Sequence, residues 1–210
     1  EDAIAKGNLD SIAITAAGYA TARSVSFFEA HAEQIEWERT RRLGRRTELS
    51  LDHLMASIAV PYIFQPVRIG NEYFGDGAMR QATPLSPAVH LGADRILVVG
   101  VRDETGGTEA EFSDEPPSFA QIAGYMLDTL FMDGLYSDLE RVTRINEVLD
   151  TMPDEQLTIG GRRMRPIDTM LIVPSEDLRA IAEKHRAELP FAIRALLRGV
   201  GGRRPGEEIR

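Results

Sequence analysis

The chain has 210 residues, 43% of them apolar, a formal net charge of −9 and no cysteine. That length suits one domain or part of a larger one, and the apolar share supplies a core. The acidic balance excludes a general nucleic-acid binder, which needs clustered positive charge. The missing thiols exclude disulfides and thiolate metal sites.

Glu1 to Lys6 has the pattern of a helix end, stopped by Gly7-Asn8. Ser11 to Ala16 and Arg23 to Phe28 alternate in polarity, and the break at Gly18 to Thr21 lets them pair as neighbouring strands. Ala30 to Arg46 is charged. It carries the only tryptophan, Trp37, and a basic cluster of Arg39, Arg41, Arg42, Arg45 and Arg46. Two readings fit: a patch for anionic head groups with Trp37 at the interface, or a solvated face balanced by Glu33, Glu36 and Glu38.

Ser50 can cap a short helix whose apolar face is Leu51, Leu54, Met55 and Ile58, ending before Pro61. His53 and Ser57 share that helix. No glycine gives Ser57 a sharp elbow and no acid orients the pair, so both read as packing residues. Pro66 to Ile69 and Glu72 to Phe74 are short extended runs joined by Gly70-Asn71, a tight hairpin turn. The second run delivers Asp76 to a loop bordered by Gly75 and Gly77. Glycines let a backbone turn sharply or let another group come close. Asp76 therefore has two possible fates: a carboxylate aimed into a cleft, or a cap on its own turn.

Ser86-Pro87 and Gly92 bracket another short helix, with His90 on it as a surface or packing residue. Arg95 to Val101 is a continuous apolar run, as expected of a strand buried on both faces. Residues 103–117 are acidic and rich in glycine and proline, and read as a mobile loop. Ser118 to Gln121 is a capping box. Apolar residues then recur at helical spacing from Phe119 to Phe131 and from Leu135 to Leu149, one long helix or a pair kinked at Gly134. Met126, Phe131 and Met132 suit packing or an acyl-chain channel. Thr158 to Arg165 is a glycine-arginine turn without a phosphate-loop ending. Asp168 to Val173 is another buried-type strand. Ser175 opens the last helices, broken at Pro190 and ended by Gly201-Gly202, and residues 202–210 form a flexible tail. The four histidines lack ligand spacing, so no metal site is expected.

Several motifs occur in one order: Ala56-Ser57-Ile58-Ala59-Val60-Pro61, Phe64-Gln65-Pro66-Val67, Tyr73-Phe74-Gly75-Asp76-Gly77-Ala78, and Thr83-Pro84-Leu85-Ser86-Pro87-Ala88 through Leu91-Gly92-Ala93-Asp94. Together they resemble the C-terminal half of the patatin-like phospholipase family. The resemblance runs roughly from Ser11 to Gly201 and is strongest between Leu51 and Val101. It implies a patatin-like three-layer α/β/α fold, incomplete here, with residues 1–201 as its C-terminal portion of sheet and helices. It also implies that Asp76 is the base of a Ser-Asp dyad, supported by Gly75 and Gly77. Ala78 stands where the family more often has glycine.

The family's nucleophile lies in Gly-x-Ser-x-Gly, after a glycine-rich oxyanion loop. No serine of this chain sits in that pattern, and no Gly-Gly-Gly run occurs. Both elements precede the aspartate in the family, so an N-terminal segment before Glu1 is the expected partner of this chain. The resemblance then implies a lipid acyl hydrolase with a lipid or ester substrate, no cofactor, and a cytoplasmic or peripheral-membrane location. The chain by itself is expected to be inactive. The alternatives are a catalytically inactive module that binds lipid or a protein partner, and an acyltransferase using the same dyad.

Overall fold

The computed structural model describes residues 2–31, 34–61, 63–100, 119–153, 157–159 and 162–176, with positions 116, 181, 184, 185 and 188. The expected acidic loop at 103–117, the capping box at Ser118, most of the last helices and the tail at 202–210 lie outside these residues, apart from position 116 of the loop. So do the side chains of Met126, Phe131 and Met132. The chain forms two compact units, Glu1–Ile96 with Leu130–Asp168, and Leu97–Thr129 with Thr169–Arg210.

The first unit opens with a helical turn, α1 (Asp2–Ala5), ended at Gly7 with φ +70°. Strands β1 (Ser11–Gly18) and β2 (Ser24–Ala30) pair antiparallel, as their alternation predicts. β3 (Trp37–Arg39) and β4 (Arg42–Arg46) form a hairpin, and β4 lies parallel to β2. Helix α2 (Leu51–Ser57) leads to the hairpin of β5 (Val67–Ile69) and β6 (Glu72–Asp76), and β6 pairs antiparallel with β1. The result is a mixed six-stranded sheet in the order β3-β4-β2-β1-β6-β5. Sheet and helices together make an α/β fold. Gly70 has φ +59° at the first central position of the β5–β6 turn, where a Gly-X hairpin needs it.

The register decides the two faces, because directly paired residues project to the same side. Ala16, Val25 and Leu43 are aligned across three strands. With Phe27, Phe74 and Ala56 they form the core on the α2 side. Phe27 meets Phe74 and His53 edge-on, at ring separations of 5.3 and 4.7 Å. Burying each phenylalanine contributes about 2–3 kcal/mol. On the other face Phe28 stacks on Trp37, and Trp37 on His90 of α3 (Ser86–His90). Gly44 lies under the Trp37 ring, where a Cβ would overlap it. Helix α3 has Pro87 in its first turn and Gly92, φ +98°, beyond its end, the bracket seen in the sequence.

Three expectations change. Trp37 is 7% exposed, so it is a core residue and not an interface residue. Its neighbours Phe28, Gly44 and His90 are brought together by β2, β4 and α3, which no local pattern reveals. Helix α2 is turned over: His53 and Ala56 are buried, while Leu51 (70% exposed), Leu54, Met55 and Ile58 face outward. Small Ala56 allows close approach to the sheet. His53 caps the helix by accepting from the Ser50 N–H at Nδ1 (3.0 Å), with the Ser50 hydroxyl 2.9 Å away.

The third change concerns β7 (Arg95–Val99). It pairs with β10 (Asp168–Ile172) in a two-stranded sheet. Asp168 N–H donates to the Asp94 carbonyl at one end and Gly100 N–H to the Ile172 carbonyl at the other, so the strands run the same way. Neither is buried on both faces. Leu97, Val99, Met170 and Ile172 are exposed, because the alternate side chains of this pair have no covering layer among the described residues. Helix α4 (Phe119–Thr151) runs unbroken through Gly134, so the pattern on either side of that glycine belongs to one helix. The hairpin of β8 (Thr158–Ile159) and β9 (Arg162–Arg163) follows it.

Candidate functional site

Asp76 closes β6 and caps the 3-10 turn Gly77–Arg80 that follows. Its backbone is held twice. It stands opposite Ala16 on β1, and its N–H donates to the Ala59 carbonyl just beyond α2 (3.0 Å). Its Oδ1 accepts from the Ala78 N–H at 2.9 Å. Among the described residues Oδ2 has no hydrogen-bond partner. The side chain is half-buried. Burial raises its proton affinity above the ordinary carboxylate range, and the Ala78 N–H, which favours the anion, offsets part of that rise.

The two bordering glycines serve close approach; neither has a positive φ. A side chain at Gly77 would collide with the Thr15 carbonyl on β1. A Cβ at Gly75 would lie 2.6 Å from the Tyr19 hydroxyl and 3.0 Å from Met79 Cε. Tyr19 reaches that place because its N–H bonds the Tyr73 carbonyl (3.0 Å) and because Glu72 clamps the turn after it. Glu72 Oε1 accepts from Ala20 N–H (2.9 Å), Thr21 N–H (2.7 Å) and the Thr21 hydroxyl (3.0 Å). The sequence marked Gly75, Asp76 and Gly77. It did not mark Glu72, Tyr19, Thr15 or Ala59, whose roles rest on contacts between distant stretches.

Four of the five arginines of the expected basic cluster bond within the fold. Arg45 pairs with Glu36 (3.1 Å), Arg42 donates to the Thr83 hydroxyl, and Arg39 donates to the Glu38 carbonyl. Arg46 donates to the carbonyls of Ala30, His31 and Gln34 and sits 5.5 Å from the Phe28 ring centre. A cavity of ≈ 10 Å³, room for about one water, is lined by Ser24, Ser26, Trp37, Arg42, Thr83 and Ser86, among others. Ser24 and Ser26 project to the face opposite the one Asp76 shares with Ala16, and Asp76 does not line that cavity. His53 and Ser57 take no part in a nucleophile pair, since His53 is committed to Ser50.

The Asp76 turn, α2 and the β5–β6 hairpin fall within one continuous stretch. Residues 17–89 match the patatin-like phospholipase family model. The patatin-like segment covers roughly a third of the chain, from the end of β1 through most of α3, and contains Gly75, Asp76 and Gly77. It relates this part of the chain to a family of lipid-ester hydrolases. No curated protein and no solved structure matches the chain. Among the described residues, no helix is long and apolar enough to cross a membrane.

Proposed function

We propose that this chain supplies the base of a patatin-type lipid acyl hydrolase, with Asp76 as the aspartate of a Ser-Asp dyad. The observation that carries the reading is the state of one carboxylate within the patatin-like segment. One oxygen is anchored by the Ala78 N–H, the other has no partner among the described residues, and burial raises its proton affinity. A carboxylate of ordinary proton affinity is a weak base at neutral pH. Partial desolvation moves it toward the working pH, where a general base is more effective.

The serine comes from outside these 210 residues, in an N-terminal segment of the same protein, since no serine here has the Gly-x-Ser-x-Gly setting. In the reaction the serine hydroxyl attacks an ester carbonyl as its proton passes to Asp76 Oδ2. The protonated carboxyl returns that proton to the departing alcohol oxygen as the ester C–O bond breaks, leaving an acyl-enzyme. Water then attacks the acyl carbonyl as its proton passes to the same carboxylate, which hands it to the serine oxygen as the free acid leaves. Backbone N–H groups of the glycine-rich loop, also outside this chain, stabilise the oxyanion. We place the sheet in a three-layer arrangement, supported by α2 on one face and His90 of α3 against Trp37 on the other.

The test is turnover of p-nitrophenyl esters by the full-length protein and by its Asp76→Asn variant. Loss of activity in a folded variant supports the reading. Near wild-type turnover removes Asp76 from the mechanism. A full-length protein that turns over nothing is instead the inactive binding module.

A further inference from the structure

We propose that Asp138 is a positioning residue for Asp76: from α4 it grips the strap Gln81–Leu85, and the strap holds the turn on which the candidate base sits. Asp138 is 5% exposed, and its Oδ2 accepts from the Leu85 N–H at 3.0 Å. That amide starts α3, where the helix itself offers no acceptor. One helical turn earlier on the same face of α4 is Gly134. A Cβ there would lie 3.0 Å from the Gln81 carbonyl and 3.6 Å from Ala82 Cα. Both ends of the strap thus rest on α4, one against a missing side chain and the other on a buried carboxylate. Between them Thr83, also buried, takes a hydrogen bond from Arg42 of β4.

The strap continues without a break to the site. Gln81 N–H donates to the Ala78 carbonyl (3.4 Å), and Ala78 N–H donates to Asp76 Oδ1 (2.9 Å). Loosening Leu85 frees the strap at its far end and admits water to the turn. Burial raises the proton affinity of the Asp138 carboxyl, and the Leu85 N–H, Arg141 at 3.5 Å on the same helix and Arg42 from the sheet offset part of that rise. Asp138 lies outside the patatin-like segment, so its part in the site comes from the tertiary structure alone. The importance of positioning Asp76 rests on the proposed function; the mechanical coupling does not.

The experiment compares Asp138→Asn with Asp138→Ala. Both remove the charge, but only Asn keeps an oxygen for the Leu85 N–H. Titration of the Asp76 carboxyl by carbon NMR and hydrogen exchange at the Ala78 amide are the readouts. In Asp138→Ala the Asp76 carboxyl should titrate lower, toward the ordinary range, and the Ala78 amide should exchange about 10-fold faster. In Asp138→Asn both should stay near wild type. A folded Asp138→Ala with neither change overturns the proposal. So does an equal shift in both variants, which would be a charge effect. If Asp138→Ala does not fold, Gly134→Ala decides: it pushes on the Gln81 carbonyl and should move both readouts the same way, and no movement overturns the proposal. Esterase activity surviving in Asp76→Asn would sink the catalytic reading and leave these two readouts unaffected.

Discussion

Gly77 rests against the Thr15 carbonyl so closely that no side chain fits between them. The contact fixes the start of the turn after Asp76 to the middle of the sheet. Because the obstacle is backbone inside a paired strand, it cannot swing aside. Gly77→Ala should therefore cost about 1–3 kcal/mol, the range for overpacking a rigid site, measured by urea unfolding. Gly75→Ala meets the tip of Tyr19, which is 47% exposed and free to turn outward. Its cost should stay under about 1 kcal/mol. Equal costs would mean that the Thr15 contact does not constrain the turn.

Asp76→Asn should stabilise the fold. The folded-state proton affinity of Asp76 is raised above its ordinary value, by burial first. For a carboxyl raised in this way, the folded protein binds the proton more tightly than the unfolded chain does. Stability is then lost as pH rises from the ordinary carboxylate range through the folded-state value. At neutral pH the wild type carries that loss. Asn does not, and it keeps an oxygen for the Ala78 N–H. The variant should melt higher at neutral pH by a few degrees at most, about the size expected for a half-buried group. The gap should close as pH falls to the ordinary carboxylate range. A gap that widens on acidification would contradict the sign.

Trp37 is the only tryptophan, so its fluorescence reports one site. Packed between Phe28 and His90, it should emit at shorter wavelength than indole in water and resist acrylamide quenching. Emission like that of free tryptophan would restore the interface reading of Ala30 to Arg46.

The orientation of α2 is open to a paired substitution. His53→Ala removes the acceptor for the Ser50 N–H and the edge contact with Phe27, and should cost about 1–2 kcal/mol. Leu54→Ala, at a position half open to solvent, should cost less than about 0.5 kcal/mol. Thermal melts of the two variants in one buffer make the comparison. A larger loss for Leu54 would mean that the helix packs by its apolar stripe.

Much of the local architecture could be read directly. The Gly70 turn, the Pro87 and Gly92 bracket and the pairing of the first two strands all follow from backbone conformation or side-chain period, which neighbouring residues impose. Other features could not. The helix at Leu51 has a clear apolar face, and the fold packs the opposite one. The run after Arg95 has the pattern of a buried strand, and half its side chains are bare. Gly134 has the look of a kink and is a place of close approach. In each case the outcome depends on a residue distant in sequence: His53 on Phe27, Gly100 on Ile172, and Gly134 on Gln81. A sequence determines what each stretch can become; which surfaces meet is a collective property of the packed chain, and only the tertiary structure decided that.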